Sequence, residues 1–162
     1  MAISQKLKDY LERNNIEYSV VTHAHTESSE DSARSAHIPL HQMAKAVVLE
    51  DEQGYIVGVL PSNNRIEVDW VNEELGRELE FADEVELVTL FSDCDVGAVP
   101  ALSDAYGLKV IWDEQLKHAS DVYIEAGDHT HLVHLRGEDF KSLMSAMPHS
   151  VISARRDYSR WV

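Results

Sequence analysis

The sequence carries one cysteine, Cys94, in 162 residues. A lone thiol closes no intrachain disulfide and supplies no cysteine-rich zinc site, so disulfide scaffolds and zinc fingers are excluded together. Glycine and proline are scarce, at 7 and 4, and no repeat, linker or low-complexity stretch breaks the chain, which argues against disorder as the main state. No apolar run approaches the roughly 18 to 20 residues of a membrane span, and Met1 to Tyr10 lacks the basic-then-apolar pattern of a signal peptide. A soluble, cytoplasmic protein with no membrane partner is expected. Basic residues are outnumbered, 14 Lys and Arg against 29 Asp and Glu, for a formal charge of −15. Glu67 to Asp95 holds 11 of those acids and one base, Arg77. A face of that sign repels a phosphate backbone, so DNA is not an expected partner. Arg155, Arg156 and Arg160, beside Tyr158 and Trp161, form a local basic cluster; it reads either as a solvated tail or as an RNA-contacting arm.

What is present is enough apolar residue, 44%, to bury a core in a chain of one-domain length. Ile3, Leu7, Tyr10 and Leu11 recur at helical spacing and predict a helix over residues 3–14. A strand is predicted over 16–22, and Ser28 with Asp31 has the capping-box form that opens a short helix toward Ala36. Residues 44–50 and 55–60 are apolar, β-branched runs joined by Asp51-Glu52-Gln53-Gly54, a four-residue hairpin signal. A helix over 69–75 stops at Gly76, residues 78–81 are extended, and a helix over 83–91 partly buries Val85, Leu87, Val88 and Phe91. After an irregular stretch from 93 to 107, strands follow at 108–112, 122–125 and 131–135, and a helix at 138–147. The sum is a single α+β domain over residues 1–146, with a mixed or antiparallel sheet core under short helices, and a C-terminal tail over 147–162.

Lys45 lies on the strand face it shares with residues 43, 47 and 49, among apolar neighbours. Symmetric closure of the hairpin puts it opposite Leu60 and diagonal to Gly58, whose missing side chain leaves space beside the ammonium. Such a lysine either snorkels to the rim or stands as a fixed cation facing an anionic or polarised group. In Asp93-Cys94-Asp95-Val96-Gly97-Ala98-Val99-Pro100, glycine lets a ligand approach the backbone and proline stiffens the residues after it, so amides there can aim inward; a plain connecting loop fits equally. Cys94 is a poor nucleophile, because Asp93 and Asp95 flank it and negative charge disfavours a thiolate. His23-x-His25 and His129-x-His131 each pair imidazoles on one strand face, yet no third ligand has a metal-site spacing, and neither metal nor cofactor is expected.

Ala44-Lys45-Ala46-Val47-Val48-Leu49, the loop from Asp93 to Pro100, the turn Glu125-Ala126-Gly127-Asp128-His129, and His23-x-x-Thr26 after the first strand occur in an order and separation that resembles the YbaK/prolyl-tRNA-synthetase-associated domain family. The resemblance spans about residues 5 to 145. It implies a hydrolase acting in trans on the ester that joins a wrong amino acid to the 3′ acceptor end of a tRNA of the tRNA(Pro) type, metal-independent and with an aminoacyl-tRNA synthetase as a further partner. By motif, Lys45 matches the family's essential lysine. Gly97, Ala98, Val99 and Pro100 match its substrate loop, Gly127, Asp128 and His129 its pocket turn, and His23 and Thr26 complete the binding residues. Two departures bear on amino-acid specificity: the fifth loop position is Ala101, with proline fourth, and Ala46 follows the lysine where some alanine-specific editors carry a polar residue. The acidic charge implies contacts centred on the acceptor end, helped by a synthetase or by the Arg155 to Arg160 segment. The competing reading is a noncatalytic ligand-binding module of the same fold.

Overall fold

The centre of the molecule is a hairpin of β2 (Ala44–Asp51) and β3 (Gly54–Pro61), in register from Ala44 opposite Pro61 to Asp51 opposite Gly54. Gly54, at φ 126°, takes a conformation only glycine adopts easily, and Asp51 Oδ1 accepts from the Gln53 amide at 2.8 Å. The ladder therefore runs to its last pair, and the expected four-residue connection is a two-residue turn, Glu52-Gln53. Arg77 grips Asp51 with Nε at 2.6 Å and a second bond from its terminal nitrogen, which holds the Asp51 carboxyl down at about 2. The computed structural model describes residues 3–26, 28–95 and 98–155.

A five-stranded mixed sheet has the order β5 (Glu80–Phe81), β2, β3, β6 (Lys109–Asp113) and β9 (His149–Ser150), with β3–β6 and β6–β9 parallel. A second, antiparallel sheet has the order β1 (Ser19–Thr22), β8 (His131–Arg136) and β7 (Asp121–Glu125), and a bridge between Met43 and Tyr123 joins it to the start of β2. A third pairing sets β10 (Ser153–Arg155) on β4 (Asn64–Ile66). With α1 (Gln5–Arg13), α2 (Ser29–Ser35), α3 (Val68–Leu75), α4 (Glu84–Leu90) and α5 (Gly137–Met144), the fold is α+β, as the alternation of short elements implies.

The hairpin is buried on both faces, which is why its strands read as continuous apolar runs. On one face Ala44, Val48, Val57 and Val59 join Leu7 and Leu11 of α1, Val122 and Ile124 of β7, and Phe140 and Met144 of α5. On the other, Leu49, Ile56 and Leu60 meet Ile66, Val71 and Ile152. This second cluster corrects the expected domain limit: the chain beyond 146 is no tail up to Arg155, because β9, Ile152 (0% exposed) and β10 are woven into the body. Arg156 and Arg160 lie outside the described residues. The expected burial along α4 is also corrected. Phe91 is buried and Leu87 packs on the core, but Val85 and Val88 are exposed, because only one side of this single-layer rim helix has a partner.

Candidate functional site

Strand alternation decides where Lys45 goes. The hairpin register sets it opposite Leu60, as the sequence predicts, and its half-buried side chain donates from Nζ to the Ser62 carbonyl at 3.4 Å. Ser62 is itself fixed: its amide bonds the Met43 carbonyl at 2.7 Å and its hydroxyl the Leu40 carbonyl at 2.8 Å. The space expected at Gly58 is not available to the lysine. A Cβ there would stand 2.7 Å from Ile66 Cδ1 and 3.7 Å from Ile152 Cδ1, so the strands beyond the hairpin fill that hollow.

Lys45 lines a different cavity, of about 250 Å³, together with Ala46, Val48, Leu87, Val99 and Glu125. Lys45 and Val99 thus share one concavity, although more than 50 residues of chain separate them. A larger hollow of about 440 Å³, lined by Ile56, Leu75, Val110 and Met147, contains none of the candidate residues.

The 93–100 segment is built less openly than its glycine and proline imply. Gly97 lies outside the described residues. Ala98 is fully buried and its amide donates to the Asp95 carbonyl at 3.1 Å, so that amide is not aimed at a ligand. Pro100 is buried, with its carbonyl taken by Ser103 Oγ at 2.9 Å. Cys94 packs in a network where Tyr106 donates to Asp93 Oδ1 at 2.6 Å, and burial pushes the thiol up to about 12. A thiol so placed is not a nucleophile at neutral pH.

The turn after β7 has a structural skeleton. Gly127, at φ 121°, packs against the start of α1, where a Cβ would stand 3.0 Å from Ser4 Cβ. Asp128 Oδ1 accepts from the Thr130 and His131 amides, each at 2.9 Å, and Oδ2 meets His131 Nδ1 at 2.9 Å. These bonds hold the Asp128 carboxyl below the usual carboxylate range against its partial burial. His129 is buried, its ring edge-on to His25 at 5.1 Å, and its carbonyl accepts from the Thr26 amide at 3.2 Å. His23 donates from its amide to the Thr130 carbonyl at 2.8 Å. Its Nδ1 lies 2.6 Å from the Ala24 carbonyl, which only accepts, so that nitrogen carries a proton while Nε2 is buried with no partner among the described residues. Among the described residues no group of three or more His, Cys, Asp or Glu has a metal-holding arrangement.

The two groups of candidates meet through residues that the sequence does not mark for the site. Thr26 Oγ1 lies 2.7 Å from Ser32 Oγ, and Ser32 Oγ donates to Glu125 Oε1 at 2.9 Å. Glu125 is only 3% exposed, and burial together with the charge of Asp128 pushes its carboxyl up to about 8, against the Ser32 hydrogen bond. The structure brings Lys45, Val99 and Glu125 to the cavity and leaves His23, Thr26, Asp128 and His129 in a second layer, of which Thr26 joins Glu125 through Ser32 while the others tie the turn to the segment before α2. A buried acid at the end of β7 has one sequence signal, a carboxylate one step before the small-residue turn Ala126-Gly127.

Solved structures of similar shape share little sequence with this chain. A hypothetical protein is 17% identical, with TM-score 0.81 over 93% of this chain and 100% of its own. A candidate trans-editing enzyme for prolyl tRNA synthetase is 18% identical, with TM-score 0.78 over 93% and 96%. A candidate signal transduction protein from Marinobacter aquaeolei is 20% identical, with TM-score 0.75 over 92% of this chain and 30% of its own. No curated protein matches the sequence. The profile of the aminoacyl-tRNA editing domain matches residues 23–143, a span that begins at His23, ends within α5, and contains Lys45, Glu125 and the whole second layer. The chain belongs to the aminoacyl-tRNA editing domain family.

Proposed function

We propose that the protein hydrolyses, in trans and without a metal, the ester of a mischarged aminoacyl-tRNA of the tRNA(Pro) type. The observation that carries this reading is the joint lining of one cavity by Lys45 and Val99. At about 250 Å³ the cavity suits a small aminoacyl group rather than a nucleotide. An aminoacyl ester is already activated, so holding it beside a water and stabilising charge on the carbonyl oxygen suffices without a protein nucleophile. Water attacks the carbonyl carbon, the carbon–oxygen bond to the terminal ribose breaks, and the neighbouring ribose hydroxyl relays the proton to the departing oxygen. Lys45 stabilises the developing oxyanion or anchors the terminal nucleotide, and His129 and Thr26 brace the far wall through Ser32 and Glu125. A synthetase compensates for the weak attraction between tRNA and a chain of charge −15.

The test is deacylation of alanyl-, cysteinyl- and seryl-tRNA side by side. Lys45→Ala is expected to lower turnover about 100-fold or more with an unchanged circular dichroism spectrum, and chelation is expected to leave the rate unchanged. The fold's occupation of 30% of the signal transduction protein supports a second reading, a noncatalytic ligand-binding module. No turnover on any substrate selects that reading.

A further inference from the structure

Glu125 closes β7 inside the cavity that Lys45 and Val99 line. Oε1 is occupied by Ser32, which Thr26 braces, but Oε2 is buried and has no hydrogen-bond partner among the described residues. Among the described residues, Asp128 from the following turn adds negative charge to this carboxyl, and Lys45 of β2 is the cation of the shared lining. Folded proteins seldom leave a buried acceptor open, and beside a cavity the missing partner is a water or a ligand group that a turn of the side chain brings within reach.

We propose that Glu125 Oε2 receives the α-ammonium of the aminoacyl group and so makes the protein selective for free amino acid esters. This assignment rests on the deacylase reading and deepens it. An ammonium brings both things the site lacks, a donor for Oε2 and a positive charge that lets a buried carboxylate ionise, whereas a substrate hydroxyl brings only the donor. The two charges also divide the cavity between them. The α-ammonium is repelled from Lys45 and drawn to Glu125, which leaves Lys45 for the carbonyl oxygen or a phosphate.

The experiment compares the full chain and Glu125→Gln on alanyl-tRNA, N-acetylalanyl-tRNA and seryl-tRNA. In parallel, calorimetry follows binding of 3′-deoxy-3′-(alanylamino)adenosine and of its propionyl counterpart, which lacks the amine. Wild type is expected to favour the free amine about tenfold or more in both kcat/KM and Kd, since a hydrogen bond to a charged group is lost without it. Glu125→Gln is expected to erase that preference, lowering kcat/KM and affinity for the free amine more than for the N-acetyl or propionyl counterpart, a difference that general damage to the pocket does not produce. Glu125→Asp, shorter by one methylene, gives the same loss if the glutamine variant folds poorly. The assignment is overturned if the variants keep the preference, if wild type treats both esters alike, or if the Glu125-dependent gain follows the seryl hydroxyl instead of the amine. Absence of hydrolysis on every ester removes the deacylase reading alone. Calorimetry then decides: amine-dependent binding that Glu125→Gln abolishes sustains the assignment, and equal or absent binding ends it.

Discussion

The parallel sheet strand β6 and the antiparallel strand β7 both end in a buried acid, Asp113 and Glu125, and the protein completes one and leaves the other open. Asp113 accepts from the Gln115 amide at 2.8 Å, the Gln115 side chain at 3.2 Å, the Ile152 amide at 3.2 Å and the Ser153 hydroxyl. Among the described residues Glu125 accepts from Ser32 alone. Both carboxyls are almost wholly withdrawn from water, so burial is not the difference. Asp113 gathers donors from the β9–β10 segment and thereby fastens the last part of the chain, whereas Glu125 lines a cavity and its second oxygen meets no donor among the described residues. A buried acid with a full set of donors is architecture, whereas one with an unpartnered oxygen beside a cavity keeps capacity for a further donor.

The contrast breaks most visibly at Asp113. Asp113→Ala is expected to cost about 3–5 kcal/mol, because several buried donors lose their acceptor at once. Chemical denaturation measures the loss, and hydrogen exchange should rise first over residues 149–155. An equal loss in Glu125→Ala would erase the distinction between the two acids. A smaller effect follows from the raised Glu125 carboxyl. Its value moves from an ordinary 4.5 to about 8, so across that window the folded state keeps a proton that the unfolded state has released. Stability is therefore full below 4.5 and falls as pH rises toward 8, with a slope of at most about 1.4 kcal/mol per pH unit. Glu125→Gln should flatten this slope in urea titrations at successive pH values. The smallest effect concerns Cys94, which belongs to neither acid. Cys94→Ala is expected to cost about 1 kcal/mol through its lost Tyr106 contact and to leave turnover within about twofold. The wild-type thiol, pushed up to about 12, should resist iodoacetamide at pH 8.

Much of the fold is legible because its elements announce themselves locally. The αL stop at Gly76 (φ 64°) sits where glycine follows an apolar helix face, and the capping serine of α2, Ser28, accepts from the Asp31 amide at 3.2 Å as its capping box implies. The register of Lys45 opposite Leu60 is legible too, since symmetric closure about the one turn between the two runs sets it. The 3-10 turns at 40–42, 103–106 and 114–118 leave no comparable mark, for they are too short to show a period. Strands β9 and β10 are short as well, and only their partners β6 and β4 identify them as strands.

The site divides along the same line. Lys45 and Val99 stand out by residue type and loop chemistry, but Glu125 does not. In β7 it shares a face with the half-buried Asp121 and Tyr123, a pattern that reads as the outer side of a strand. The hollow assigned to Gly58 is empty only if the hairpin is considered alone. Ile66 and Ile152 fill it, and the second comes from far along the chain.

The sequence by itself determined the α+β class, the central hairpin and its register, the acidic character and the cation at position 45. Those features depend on side-chain period, turn chemistry and charge, which act within a few residues or add up over the whole chain. Tertiary structure alone decided which cavity Lys45 enters, that Val99 meets it there, and that Glu125 becomes a buried acid with one oxygen left open. Those features depend on segments brought from tens of residues away, and burial and hydrogen-bond satisfaction are properties of what surrounds an atom in space rather than of its neighbours in the chain.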